Sequence, residues 1–127
     1  MAKTLGDFIR EARARSREWD AESAHDRIMA GEVLVIDVRE PDEFAAGHLP
    51  QALCVPRGLL EGAADPGYKR RVESLCHARQ HIVLLCCESG ARSAMAAVTL
   101  QEMGFAEVYS LAGGIECWTA EGYVLEK

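Results

Sequence analysis

The residues best placed to do chemistry fall in one stretch, Cys86-Cys87-Glu88-Ser89-Gly90-Ala91-Arg92-Ser93. It is a polar turn between an apolar run, Ile82 to Leu85, and a helix-like run, Ser93 to Met103. A thiol in such a turn sits where N–H groups of the turn and of the following helix N-terminus converge, which favours the thiolate. Cys87 is therefore the candidate nucleophile. Gly90 permits a tight turn that a side chain would obstruct, and Arg92 brings a fixed positive charge within reach of a bound anion. Glu88, Ser89, Ala91 and Ser93 complete the candidate substrate loop.

A second set of charges, Asp37, Arg39 and Glu40, follows the apolar run Val33-Leu34-Val35-Ile36. The carboxyl end of such a strand is where open α/β sheets place their ligand sites. The cysteines at 54, 76, 86, 87 and 117 form no C-x-x-C pair and are odd in number, so reduced thiols are expected rather than a disulfide framework. Cys86 precedes Cys87 and on a strand must point to the opposite face, as a buried small hydrophobe; Cys54, Cys76 and Cys117 lie in apolar patterns and read as packing residues. His25, His48, His77 and His81 are scattered, and neither a metal nor an organic cofactor is expected. His48, beside Gly47, reads as a hydrogen-bonding brace, and Trp118 and Tyr123 as cover for the core.

The elements that position these groups alternate. Leu5, Phe8, Ile9 and Ala12 form a helical stripe within Thr4 to Ser16, with Arg10, Arg13 and Arg17 on another face. Asp20 reads as the N-cap of a second helix that runs to Ala30 and stops at Gly31. Val33 to Val38 has the continuous β-branched character of a strand buried on both faces. Pro41 opens a short helix through Ala45, Ala52 to Val55 is a short strand, and Pro56 to Gly67 is a loop holding one helical turn. Tyr68 to Ala78 is predicted helical, His81 to Cys86 is the central strand, Val108 to Leu111 the last strand, and Gly113-Gly114 turns into a helix through Trp118. Strands alternating with helices predict an α/β fold, a parallel sheet flanked by helices on both faces.

One compact domain suits 127 residues with 49% hydrophobic composition. A net charge of −6 argues against general binding to nucleic acid or to anionic membranes. The chain lacks both a signal-peptide pattern and an apolar run long enough to span a bilayer, so a cytoplasmic protein is expected.

Four pieces in order, Ile36-Asp37-Val38-Arg39-Glu40-Pro41-Asp42-Glu43-Phe44, Gly47-His48-Leu49-Pro50, Cys87 to Ser93, and Leu111-Ala112-Gly113-Gly114 followed by Trp118, carry a family resemblance. The chain resembles a single-domain rhodanese, a sulfurtransferase. The resemblance divides it into an N-terminal helical extension, residues 1–19, and a rhodanese-like domain, residues 20–127. It implies a relay in which Cys87 takes a sulfane sulfur from thiosulfate, a low-molecular-weight persulfide or a protein persulfide. The sulfur then passes to a thiol, cyanide or protein acceptor, with a small sulfur-carrier protein as one candidate partner. Asp37 and Arg39 are expected to support the loop by ion pairs, since persulfide transfer requires no general base.

Two other readings remain open. Cysteine phosphatases place five residues between Cys and Arg to wrap a phosphate, whereas four intervene here, and Glu88 would repel phosphate. The other is a non-catalytic protein-interaction or redox-sensing module of the same fold; interaction modules characteristically lack the loop cysteine, which is present here. Glu88 also bears on donor choice. Its charge opposes a dianionic thiosulfate and favours persulfide donors, unless the carboxylate pairs with a nearby base.

Overall fold

The computed structural model describes residues 1–127. Strands β1 (Arg17–Trp19), β2 (Val33–Asp37), β3 (Leu53–Cys54), β4 (Ile82–Cys86) and β5 (Glu107–Leu111) make one sheet in the order β1-β5-β4-β2-β3. Every neighbouring pair is parallel. The two most apolar runs, β2 and β4, are therefore adjacent at the centre, in register from Val33 opposite Ile82 to Asp37 opposite Cys86. That register brings the charged end of β2 beside the cysteine end of β4.

Helices α2 (Ala21–Met29) and α7 (Gly114–Ala120) cover one face, where Ala24, Ile28, Ile115 and Trp118 pack on Val35, Leu84, Cys86 and Leu111. On the other face, α4 (Leu60–Ala63), α5 (Glu73–Cys76) and α6 (Ala91–Glu102) bury Leu60, Leu75, Ala96, Ala97 and Leu100 against Ile36, Val83, Leu85 and Val108. Successive strand residues alternate between the two cores, so Cys86 and Cys87 face opposite sides of the sheet. Helix α3 (Pro41–Ala45) follows β2 and carries no buried residue.

Residues 1–19 hold helix α1 (Leu5–Arg15), closed by a Thr4–Asp7 capping box, and then β1, a strand the sequence pattern does not announce. β1 pairs with β5, and Trp19 stacks on Tyr109 with ring centroids 4.1 Å apart. α1 lies against α6. Of its apolar stripe only Ala12 is buried, while Leu5 and Phe8 stay exposed.

The predicted helix from Tyr68 to Ala78 is reduced to Glu73–Cys76. The reason lies in its first half, where Asp65 accepts the Gly67 N–H and the Val72 N–H donates to Ala63 O at 2.8 Å instead of entering a helical ladder. The loop before it is more helical than expected, with a 3₁₀ turn at Arg57–Leu59 running into α4. Cys117 is exposed and not a packing residue, because Ile115 and Trp118 occupy the buried side of α7. Trp118 is fully buried and His48 stacks on Phe44 while its Nδ1 lies 2.9 Å from Leu49 O, as expected of core cover and brace.

Candidate active site

β4 delivers Cys87 to the first turn of α6. Gly90, at φ +99°, is the N-cap of that helix, and its left-handed conformation folds the loop back over the sulfur. Sγ of Cys87 accepts the N–H of Gly90 at 3.1 Å and the N–H of Ser93 at 3.3 Å. The Ser93 hydroxyl lies 3.5 Å from Sγ and 2.8 Å from Oγ of Ser110, another buried serine. Cys87 is almost wholly buried, so these donors meet the sulfur with little competition from water.

The outer side of the loop is held by α7. The N–H groups of Ile115 and Glu116 donate to the carbonyls of Cys87 and Glu88 at 2.9 and 3.1 Å. This close seating requires Gly114, at φ +62°, since a Cβ there would stand 2.5 Å from both carbonyl oxygens. With those carbonyls turned out to α7, the N–H groups of Gly90 and Ser93 are free to turn in toward the sulfur.

Two ion pairs lie beside the loop. The Arg39 guanidinium grips both carboxylate oxygens of Asp37 at 2.8 to 3.1 Å and donates to Gly47 O at 2.7 Å. Both residues are buried, and although burial opposes the charge on Arg39, its bonds to Asp37 raise its pKa overall. Arg39 Nη1 also reaches Glu88, but at 3.5 Å, and the Glu88 side chain is 47% exposed. Arg92 is bound bidentately by Glu43 of α3 at 2.9 and 3.0 Å. Together with the N–H of Glu40, this pairing holds the Glu43 carboxyl down at about 2. Burial pushes the Cys86 thiol well above its ordinary range, on the face away from the loop.

The structure brings loop residues 87–93 together around Sγ of Cys87, with Arg39 and its partner Asp37 reaching the loop at Glu88. Glu43, Ser110 and Gly114 were not anticipated as site residues. Glu43 belonged to a recognisable motif without a partner; Ser110 was a polar residue on an otherwise apolar strand, which is a usable signal. A cavity of about 390 Å³ lies elsewhere, beside β3, and is lined by Cys54, Val55, Leu59, Tyr68 and Val72 but by no loop residue. No helix is long and apolar enough to cross a membrane.

Comparison with known proteins supplies the family. Residues 20–121 match the profile of the rhodanese-like domain. The chain is 40% identical over 96 residues to the senescence-associated protein DIN1 of Raphanus sativus, covering 72% of this chain and 51% of the radish protein, about half its length. It is 35% identical over 102 residues to the chloroplastic thiosulfate sulfurtransferase 16 of Arabidopsis thaliana, covering 78% of this chain and 83% of that protein. A solved structure from Rhodopseudomonas palustris, of unknown function and described as a possible tyrosine phosphatase, superposes with a TM-score of 0.91 at 26% identity. It covers 99% of this chain and 96% of its own, so the overlay includes α1. The profile match, which spans β2 to β5 and α2 to α7, joined to 35% identity with a protein named as a sulfurtransferase, establishes that this chain belongs to the rhodanese-like family.

Proposed function

We propose that the protein is a sulfurtransferase that carries a sulfane sulfur on Cys87. The observation that supports this most directly is the Cys87 sulfur, buried at the N-terminus of α6 with two backbone N–H groups directed at it. The thiolate attacks the sulfane sulfur of the donor; with thiosulfate, the donor's S–S bond breaks, sulfite leaves with the electron pair, and Cys87 holds the persulfide Sγ–S⁻. A nucleophilic acceptor, a thiol, cyanide or a protein, then attacks the outer sulfur and the Cys87 thiolate departs. N–H donors fixed in advance stabilise the anion in both states with little reorganisation. In this reading Glu88 to Ser93 form the donor loop and Arg92 fixes its shape through Glu43. Asp37 and Arg39 support it from β2.

Phosphate-ester chemistry is weaker on this geometry. The loop has one residue too few between Cys87 and Arg92, Arg92 is already committed to a carboxylate, and Glu88, next to Cys87 and half exposed, adds negative charge beside the loop. The donor can be thiosulfate, a low-molecular-weight persulfide or a protein persulfide, with a small sulfur-carrier protein as one candidate partner. We further place the protein in the cytoplasm, on the ground that five free cysteines and a thiolate mechanism suit a reducing compartment.

The test is mass spectrometry of the protein after incubation with each donor. A gain of one sulfur atom on the peptide containing Cys87, discharged by cyanide or a thiol, is the expected result. No adduct with any donor, in a folded protein, would favour the non-catalytic interaction or redox-sensing module instead.

A further inference from the structure

The N-terminal helix brings a charge to the loop from outside the family-matched residues. α1 lies along α6, and at its last turn Nη2 of Arg13 comes within 3.7 Å of the point where a side chain on Gly90 would begin. That same point is 3.3 Å from the backbone N of Gly113, so the guanidinium stands over the seam between the cysteine loop and the start of α7. Arg13 is exposed and makes neither an ion pair nor a side-chain hydrogen bond.

The other cations around the loop are all engaged. Arg92 is held by both oxygens of Glu43, and Arg39 by both oxygens of Asp37 and by Glu88. Each of those positive charges is already matched by a carboxylate, and Glu88 is only loosely tied, so the loop itself offers an incoming anion little net attraction. Arg13 is the uncompensated cation beside it.

We propose that Arg13 is a specificity-determining residue of the site, one that attracts and orients anionic electrophiles as they approach Cys87. Within the sulfurtransferase reading, on which this extension rests, the anion is a sulfane-sulfur donor such as thiosulfate or an acidic persulfide. Arg13 then offsets the repulsion from Glu88, and α1 is part of the donor site and not only a covering helix. The interaction is through an exposed charge, so it is strongest at low ionic strength.

A pair of alkylating agents tests this without sulfur transfer. Iodoacetate, an anion, and iodoacetamide, its neutral counterpart, both alkylate a cysteine thiolate with loss of iodide. Rates are followed on the peptide containing Cys87, which separates it from the exposed Cys117. In Arg13→Gln the ratio of iodoacetate to iodoacetamide rates is expected to fall roughly three- to ten-fold at low salt. Arg13→Lys should retain most of the ratio, and the difference should shrink at high salt. Arg10→Gln, on the same helix but paired with Asp7, should match wild type. With thiosulfate as donor, Arg13→Gln should raise KM by a similar factor with kcat little changed. An unchanged alkylation ratio in Arg13→Gln, in a protein whose melting is also unchanged, overturns the proposal. If the ratio falls but no donor loads sulfur on Cys87, the electrostatic role stands and the sulfurtransferase reading fails.

Discussion

The division of labour between Cys86 and Cys87 follows from strand alternation. One thiol lies in the core beneath α2 and α7, where burial keeps it protonated; the other lies among N–H donors. Cys87→Ser is therefore expected to abolish sulfur transfer with the fold intact, because a hydroxyl cannot carry the persulfide. Cys86→Ser should keep most of its activity, and the reverse pattern in a cyanide-acceptor assay would refute the assignment. Arg92 poses a separate question, since its guanidinium meets Glu43 and not the sulfur. A lysine cannot hold both carboxylate oxygens, so Arg92→Lys should lose activity by about ten-fold or more despite keeping the charge. Full activity in Arg92→Lys would show that the Glu43 pairing is irrelevant to the loop.

At the level of elements, the loop depends on the start of α7 as much as on β4 and α6. Gly114→Ala places a Cβ 2.5 Å from two loop carbonyls in a backbone conformation that disfavours side chains. It is expected to destabilise by about 2 kcal/mol or more and to lower activity out of proportion, because relief of the clash must move the loop. Gly122→Ala is the control: its φ is also positive, at +90°, but nothing lies within 4 Å, so only about 1 kcal/mol of conformational cost is expected and no loss of activity. Denaturant melts and transfer assays on both variants decide this. The sequence made β2 and β4 legible because a strand buried on both faces must be apolar almost throughout. β1 was illegible for the opposite reason: Arg17-Glu18-Trp19 is a short edge strand held by backbone pairing and aromatic stacking, with no apolar alternation to detect. The false extension of α5 back to Tyr68 has a third cause, the backbone bond from the Val72 N–H to Ala63 O, outside the stretch whose apolar spacing suggests a helix.

Across the whole molecule, the site is a meeting of segments distant in sequence, which is why its individual residues were readable and their partners were not. Cys87 and Arg92 announced themselves by spacing, whereas nothing local connects Arg92 to Glu43, 49 positions away. That pair ties α3 to the helix bearing the loop, so its strength should register in global stability. Glu43 is held at about 2, against an ordinary value of 4.5, by Arg92 first and then by the Glu40 N–H. A carboxylate whose pKa is lower folded than unfolded contributes stability that is complete above the unfolded value and lost as pH falls through the folded one. The contribution should therefore be full above about pH 5 and drain away between about pH 4.5 and 2. Both side chains are about one-third exposed, so solvent screening limits it to on the order of 1 kcal/mol. Urea titrations of wild type and Glu43→Gln across this range should show the wild-type advantage at pH 7 shrinking steadily below pH 4.5 and vanishing near pH 2. A gap that stays constant down to pH 2 would mean that the carboxylate charge contributes nothing to the tie between α3 and α6.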